Sequence, residues 1–273
     1  MDLRFLVDNT PDPEDRFESE HGLSMTFDAD GKRWLMDVGA TDLFARNATR
    51  MGVDIASADY LILSHAHADH TGGLARFLAA NDHAPILLSE HIAGAHYFST
   101  RRGTKRDISI DYALIAAHRD RFIFVGETLR PTPSVRLFTD IPHRYPTPKA
   151  NATLLAGDVC DDFTHELAVE VETGDRSVVL SSCSHLGVLN TLAGSEGKVR
   201  AYVGGLHLVD SDAEHRFETE EDIRLLAEVI RRDYPAMEIY TGHCTGSCAK
   251  ELLAKELGAR FHRFHTGMHV RFD

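Results

Sequence analysis

The feature that most constrains this chain is a run of three histidines and one aspartate within six residues. The run, His65-Ala66-His67-Ala68-Asp69-His70, is separated from the apolar stretch 60–63 by Ser64 alone and precedes Thr71-Gly72-Gly73. Imidazole nitrogens and carboxylate oxygens are the usual protein ligands of zinc and related first-row metals. A polar loop with scattered surface histidines is the alternative, since the chain has 17 histidines in 273 residues. The close spacing and order of the four groups favour a metal site.

Composition and charge narrow the classes of partner. The net charge of −13 argues against a surface that binds nucleic acid, because such a surface needs a basic footprint. No stretch approaches the ~20 apolar residues of a membrane span, and Arg4 and Asp8 interrupt the apolar N-terminus, which excludes a signal peptide. The four cysteines form no disulfide pattern. We therefore expect a cytoplasmic protein that binds neither nucleic acid nor membrane.

Histidines recur after apolar segments in the second half of the chain. Besides the run at 65–70, three apolar segments are each followed by a loop that carries one histidine: His185, His207 and His243. Strand ends at one edge of a sheet are where α/β folds place their chemistry. An amphipathic helix is predicted over 219–232. Because both halves supply ligand candidates, we expect a single domain over 1–273, with an insertion around 90–120 that covers the site.

Several of these residues together resemble the metallo-β-lactamase superfamily over nearly the whole chain. They are Asp37 in the strand end that reads "MDVG", the run at 65–70 followed by "TGGL", and the terminal His243. The resemblance implies an α/β fold of the metallo-β-lactamase type, a four-layer αββα sandwich. Such a sandwich has two mixed sheets with helices outside them, and up to two metal ions between the sheets.

A second series of motifs resembles a narrower group within that superfamily. The group is named after a dihydropterin–ribofuranosylaminobenzene 5′-phosphate synthase. The motifs are "LVDN" at 6–9, "HGLSM" at 21–25, "SHAHADHTGGL" at 64–74, "CSHLGVLN" at 183–190, "GGLHL" at 204–208 and "TGHCTG" at 241–246. The resemblance implies a metal-dependent hydrolase that uses a metal-bound hydroxide. Its substrate would be a small phosphoester or a cyclic ester or amide, including a pterin-related phosphate.

The resemblance also implies a ligand set for two divalent ions. One ion takes His65, His67 and His185, and the other takes Asp69, His70 and His243. We expect zinc, with manganese and iron as alternatives.

The chain departs from the wider superfamily at the ligand that bridges the two ions. Relatives keep a bridging aspartate at the end of the hairpin over 167–180, where this chain has Cys183 and then His185. Whether Cys183 is a ligand, and whether one or two ions bind, stays open. Relatives also have a histidine ahead of this hairpin, where this chain reads Asp161-Asp162-Phe163-Thr164-His165.

Two residues are predicted to act in catalysis, Asp69 and His207. Asp69 would orient the nucleophile and move its proton. His207 has three functional roles open to it: metal ligand, general acid, or donor to a phosphate. A structural histidine that bonds a loop is the alternative. Asp37 is expected to orient a ligand histidine. Four basic residues are expected to form a solvated face rather than a gate for the substrate: Arg101, Arg102, Lys105 and Arg106.

Two other functions compete with hydrolysis. One is a di-iron redox protein of the same fold, and the other is a non-catalytic protein that keeps a degenerate metal site for ligand binding. The intact run at 65–70 argues against the degenerate site. We expect the substrate of the hydrolase to be a small, anionic molecule. A homodimer is compatible with the sequence but not required by it.

Overall fold

Two mixed seven-stranded sheets form the frame of the computed structural model, which describes residues 1–92, 94–101, 103–210 and 217–273. The first sheet has the strand order β18-β1-β2-β3-β4-β5-β8. Its strands are β1 (Asp2–Val7), β2 (Ser24–Ala29), β3 (Lys32–Met36), β4 (Tyr60–Ile62), β5 (Ile86–Ser89), β8 (Phe122–Val125) and β18 (His269–Arg271). The pairs from β18 to β3 are antiparallel, and those from β3 to β8 are parallel.

The second sheet has the same arrangement of an antiparallel part and a parallel part. Its order is β17-β16-β15-β14-β13-β10-β9. The strands are β9 (Thr128–Thr132), β10 (Val135–Phe138), β13 (Ala168–Thr173), β14 (Arg176–Leu180), β15 (Val199–Val203), β16 (Glu238–Thr241) and β17 (Phe261–Arg263). The pairs from β14 to β17 are parallel. Each sheet therefore presents several parallel strands whose carboxyl ends lie at one edge.

Helices cover the outer face of each sheet. They are α1 (Leu43–Arg50), α2 (Ala68–Thr71), α3 (Leu74–Ala80), α4 (Tyr112–Ala117), α5 (Val188–Ala193), α6 (Glu220–Asp233) and α7 (Ser247–Leu257). Residues of α1, α3 and α4 share one buried apolar cluster with the first sheet, and residues of α5, α6 and α7 share another with the second sheet. None of the helices in the described part of the chain is long and apolar enough to span a membrane.

A third apolar cluster lies between the two sheets and completes the layers. It joins side chains such as Phe5, Met25 and Trp34 of the first sheet to Val169 and Leu180 of the second, all of them fully buried. Burial of apolar surface on both faces of each sheet is the main stabilising contribution in such a sandwich. The order helix, sheet, sheet, helix confirms the predicted four-layer αββα fold.

The segment around 90–120 contributes to a small third sheet. This sheet has the order β12-β11-β6-β7, and its strands are β6 (Tyr97–Ser99), β7 (Arg106–Asp107), β11 (Leu154–Ala156) and β12 (Val159–Cys160). The segment packs on the histidine run, since the backbone N–H of Ala68 donates to the carbonyl of Ile108 at 2.7 Å. The single domain over 1–273 and the insertion stay predictions.

Candidate metal centre

The residues of the centre lie in loops that follow parallel strands of both sheets. Asp37 follows β3 and the histidine run follows β4, whereas His185, His207 and His243 follow β14, β15 and β16. Asp37, His207 and His243 have φ values of 59°, 49° and 46°, in the left-handed region that non-glycine residues rarely adopt. Such conformations persist where the surrounding structure fixes them, and they cluster at functional sites.

Close backbone packing holds the histidine run in place. A Cβ atom added to Gly73 would lie 2.2 Å from the carbonyl oxygen of Val38, and one added to Gly72 would lie 2.2 Å from that of Ala40. The backbone N–H of Val38 also donates to the carbonyl of His70 at 2.8 Å. The two glycines after the run therefore let the loop pack directly against the loop that carries Asp37.

Three buried imidazoles form the first group of the centre, which we call the three-histidine group: His65, His67 and His185. One ligand atom from each lies within 4.8 Å of the other two. The Nε2 atoms of all three are buried and have no hydrogen-bond partner. A buried polar atom without a partner is costly, and buried histidine nitrogens are normally satisfied. The three free nitrogens therefore fit a cation that accepts nitrogen ligands.

Asp69, His70 and His243 form the second group, which we call the mixed group. Their ligand atoms also lie within 4.8 Å of one another. The Nε2 atoms of His70 and His243 are 3.0 Å apart, and the Asp69 carboxylate lies 3.7 Å and 3.6 Å from them. Two imidazole nitrogens this close need a proton or a cation between them. The structure thus brings together, as two groups, the six residues that the sequence suggested as ligands; their roles as ligands stay predictions.

Asp37 connects the two groups through hydrogen bonds on the Nδ1 side of their imidazole rings. Its Oδ2 accepts a hydrogen bond from Nδ1 of His70 at 2.7 Å and another from the hydroxyl of Ser64 at 2.7 Å. Because that hydroxyl donates to Asp37, its oxygen accepts from Nδ1 of His65, also at 2.7 Å. Both histidines consequently carry their proton on Nδ1 and turn Nε2 towards the centre. Asp37 does not itself belong to either group.

Two asparagines orient one further histidine in each group. Oδ1 of Asn151 lies 3.2 Å from Nδ1 of His185, and Oδ1 of Asn9 lies 3.0 Å from Nδ1 of His243. Each asparagine also donates to the backbone carbonyl of the histidine it holds. Asn9 stands in the "LVDN" motif at 6–9, but neither asparagine carries a local sign of the histidine that it contacts.

Burial and neighbouring charges give the two groups different protonation. Burial lowers the pKa of His65 and of His185 well below the ordinary value, and burial together with the nearby His165 lowers that of His67 to about 3. Burial also acts against a charge on His70, but Asp69 and Asp37 outweigh it and raise the pKa of His70 to about 9. The three-histidine group is thus neutral, whereas His70 holds a proton when no cation is bound.

Cys183 lies where the two groups meet. Its sulfur is 3.3 Å from Nε2 of His70, and it lies within 4.8 Å of ligand atoms of His65 and His70. Ligand atoms of Cys183, His207 and Cys244 also lie within 4.8 Å of one another. Burial, followed by the neighbouring Cys244, raises the pKa of the Cys183 thiol. The geometry keeps Cys183 open as a ligand, as the sequence left it.

His165, the histidine ahead of the hairpin over 168–180, has both ring nitrogens occupied. Its Nδ1 accepts from the backbone N–H of Ala66 at 3.2 Å, and its Nε2 donates to Asp161 at 3.0 Å. It therefore offers no free lone pair. The neighbouring Glu166 is buried and accepts from the backbone N–H groups of His185 and Leu186 at 2.8 and 2.9 Å. These two residues support the centre from the side of the hairpin.

One sequence-based expectation about the basic residues is wrong for Arg101. Its side chain does not join a solvated face, because Nη2 lies 3.1 Å from Nε2 of His207, which is buried. Lys105 and Arg106 are exposed, as expected, and Arg102 lies outside the described residues. The sequence could not show this contact, because Arg101 and His207 are separated by 106 residues.

The layers are those of the αββα fold, and the donor groups could hold metal ions. The chain matches the family model of the metallo-β-lactamase superfamily over residues 21–150. It is similar to a 7,8-dihydropterin-6-methyl-4-(β-D-ribofuranosyl)-aminobenzene-5′-phosphate synthase of Methanocaldococcus jannaschii. The two are 26% identical over 94% of this chain and 91% of that protein.

Solved structures show the same fold. Tm1679, described as a metal-dependent hydrolase of the β-lactamase superfamily, is 23% identical with a TM-score of 0.82, over 100% of this chain and 99% of that one. Zn²⁺-bound PqqB from Methylobacterium extorquens is 14% identical with a TM-score of 0.59, over 100% of both chains.

Proposed function

We propose that this protein is a metal-dependent hydrolase of small phosphoesters or of cyclic esters or amides. The observation that carries the proposal is the set of three buried Nε2 atoms without a partner, beside a second group that contains a carboxylate. Neither group needs to be built by a large rearrangement, because hydrogen bonds to Nδ1 already fix the rings of His65, His70, His185 and His243.

The donor set fits two divalent ions, and zinc is our first choice. His65, His67 and His185 would hold one ion, and Asp69, His70 and His243 would hold the other. Nitrogen-rich sites with a single carboxylate suit zinc better than iron or manganese, which take more oxygen ligands. When bound, the ions would supply Lewis acidity and lower the pKa of water.

Asp69 is placed to handle the proton of the attacking water. It is the least buried member of the two groups, with 22% of its side chain exposed. The charges of His70, His243 and His21 outweigh burial and hold its pKa below the ordinary value, so it is ionised at neutral pH. An ionised carboxylate at the open side of the centre orients water and accepts its proton. His207 lies on the other side, with its ring centroid 4.1 Å from that of His185.

The relatives support a hydrolytic reaction and a phosphate-bearing reactant. One similar structure is described as a metal-dependent hydrolase, and the similar M. jannaschii protein is named as the synthase of a compound that carries a 5′-phosphate. We extend these properties to this chain as part of the proposal, with a pterin-related phosphate as one candidate substrate. The four cysteines, all free thiols, are in keeping with a reducing cytoplasm.

Elemental analysis of protein purified without added metal tests the proposal. We expect two zinc ions per chain, and we expect His67→Ala to lose an ion from the three-histidine group. The matched control is His83→Ala, because His83 is an exposed imidazole with no place in either group. The metal-loaded protein is then assayed with chromogenic phosphomonoester, phosphodiester, lactone and β-lactam substrates.

Three results would contradict the proposal. Two iron ions per chain would indicate redox chemistry. Absence of bound metal would indicate a ligand-binding protein with a degenerate site. Metal-loaded protein that cleaves none of the substrates would show that the centre is not a general hydrolytic one.

A further inference from the structure

His21 lies beside the mixed group without belonging to it. Its Nε2 is 3.3 Å from Oδ2 of Asp69, the same oxygen that lies 3.7 Å from Nε2 of His70 and 3.6 Å from Nε2 of His243. The ring of His21 also stacks on that of His243, with 5.7 Å between the centroids and 26° between the planes. The side chain of His21 is 65% exposed. An exposed histidine thus contacts the carboxylate at the open side of the centre.

The backbone that follows His21 packs directly on the backbone of Asp69. A Cβ atom added to Gly22 would lie 2.6 Å from the carbonyl oxygen of Asp69, closer than real Cβ atoms approach a neighbour. The backbone N–H of Leu23 donates to the same carbonyl at 3.2 Å. Only a glycine at position 22 allows this approach without a shift of the chain. The "HGLSM" motif therefore brings the imidazole of His21 to Asp69 by fixing the two backbones against each other.

Asn9 decides which nitrogen of His21 carries the proton. Two backbone groups fix the orientation of the Asn9 amide, because the N–H of Gly22 donates to Oδ1 at 3.0 Å and the carbonyl of His243 accepts from Nδ2 at 3.1 Å. Nδ2 of Asn9 is also 3.1 Å from Nδ1 of His21, and since an amide nitrogen only donates, Nδ1 is the acceptor. The proton of the neutral ring is consequently on Nε2, the nitrogen that contacts Asp69.

A proton on Nε2 suits a residue that holds the Asp69 carboxylate in one orientation. An ionised carboxylate only accepts, and an imidazolium also has a proton at Nε2, so His21 offers a donor in either charge state. Uptake of a proton from Asp69 would first require the loss of the proton on Nε2. Among the described residues, His21 is the only basic side chain outside the mixed group within 4.0 Å of this carboxylate.

We propose that His21 is a positioning residue that holds the carboxylate of Asp69 beside the two imidazoles of the mixed group. The inference rests on the proposed function, in which Asp69 is a metal ligand and handles the proton of the attacking water. The terminal torsion of an aspartate is broad, so a partly exposed carboxylate needs a partner to stay in one orientation. His21 does for this carboxylate what Asn9 does for the imidazole of His243.

Zinc titration, with turnover measured alongside, tests the positioning role. His21→Phe keeps an aromatic ring beside His243 but removes the donor to Asp69. We expect the mixed group to lose about 10-fold in zinc affinity, at the low end for a residue that supports a ligand because His21 is exposed, while the three-histidine group is unchanged. At saturating zinc, kcat should fall by a similar factor, and KM should stay within about twofold of the wild type.

Two variants separate the loss of this donor from a general disturbance. His21→Gln keeps an N–H donor and an oxygen that can accept from Asn9, so its zinc affinity and kcat should lie between those of His21→Phe and the wild type. His83→Phe is the matched control, because His83 is also exposed and its Nδ1 is 3.4 Å from the Asp82 carboxylate, but it belongs to neither group. We expect the control to change neither zinc affinity nor turnover.

A double-mutant cycle tests whether His21 acts through Asp69. In the Asp69→Ala background, His21→Phe should cause no further loss of zinc affinity at the mixed group, because the carboxylate that it positions is absent. A purely structural role, through the ring that stacks on His243, would leave the effect of His21→Phe the same in both backgrounds.

Two results would overturn the inference. They are an unchanged zinc affinity of the mixed group in His21→Phe, and a loss that is as large in the Asp69→Ala background as in the wild type. Either result in a protein that hydrolyses the test substrates would leave the hydrolase proposal intact. A loss confined to the mixed group and dependent on Asp69, in a protein that cleaves no substrate, would support the positioning role and refute the hydrolase proposal.

Discussion

The two groups of the centre are similar in size but opposite in their electrostatic character. The three-histidine group consists of neutral, fully desolvated imidazoles, whose Nε2 atoms have no partner. The mixed group contains an ionised carboxylate, and its two imidazole nitrogens face each other at 3.0 Å. The first group has lone pairs ready for a cation, whereas the second must give up a proton first. The same residue type is thus prepared for metal in two ways, because burial dominates in the three-histidine group whereas Asp69 and Asp37 outweigh burial at His70.

The largest expected effect comes from removing a histidine from either group. His65→Ala and His243→Ala should each lose one ion per chain. Activity should fall by more than the ~100-fold loss that follows from substituting a residue that only hydrogen-bonds to a ligand. In His65→Ala the mixed group should still bind its ion, and in His243→Ala the three-histidine group should still bind its own. Metal content and turnover, measured together, check this. Loss of both ions in each variant would show that the two groups are one cooperative site.

The pH dependence of metal binding should distinguish the groups next. The pKa of His70 is raised to about 9, so below pH 9 a cation has to displace the proton of His70. The apparent affinity of the mixed group for zinc should therefore fall about tenfold for each pH unit by which the pH is lowered. The pKa of His67 is lowered to about 3, so binding to the three-histidine group should be nearly constant between pH 6 and 8. Calorimetric zinc titrations at three pH values measure both. If the zinc affinities of the two groups changed equally with pH, the proposed difference in their protonation would be wrong.

Asp37→Asn should weaken both groups, but unequally. Asp37 bonds His70 directly and His65 only through Ser64, so the mixed group should lose about 10- to 100-fold in zinc affinity and the three-histidine group less. Asp82→Asn, at a fully exposed carboxylate, is the control. Zinc competition with a chromogenic chelator gives both affinities. Equal losses in the two groups would mean that Asp37 acts through the backbone of Ser64 rather than through the imidazoles.

The smallest expected effect is on thermal stability when metal is removed. Ions that bind only the folded chain stabilise it by about 3–4 kcal/mol at 100 to 1,000 times the dissociation constant. For a chain of this size, loss of that stabilisation should lower the melting temperature by about 5–15 °C when a chelator removes the metal. Scanning calorimetry with and without chelator measures the shift. His67→Ala should show a smaller shift than the wild type, because one ion is already absent.

The resemblance of several motifs to the metallo-β-lactamase superfamily predicted the αββα fold, and local sequence patterns placed the candidate ligands after apolar segments. The predicted helix over 219–232 corresponds to α6 at Glu220–Asp233, because its apolar spacing has the period of a helix and Thr219 caps it. The run at 65–70 was recognisable because its members are neighbours in sequence. His185, His207 and His243 were found because each follows a buried strand, and parallel strands end at one edge of a sheet.

Contacts between distant segments were beyond the reach of these patterns. Asn9 reaches His243 across 234 residues, Asn151 reaches His185 across 34, and Arg101 reaches His207 across 106. An isolated asparagine or arginine in a loop gives no local sign of such a partner. The expectation of a solvated face for Arg101 was wrong for this reason.

The sequence by itself predicted the αββα fold, through motifs that resemble the metallo-β-lactamase superfamily, and it placed histidines after apolar segments. Motifs and close spacing are local properties that can be recognised without a structure. Only the tertiary structure decided which imidazole nitrogens have a hydrogen-bond partner and which are buried without one. Those properties depend on burial and on hydrogen-bond partners brought together by folding, and they divide the histidines into one neutral group and one charged group.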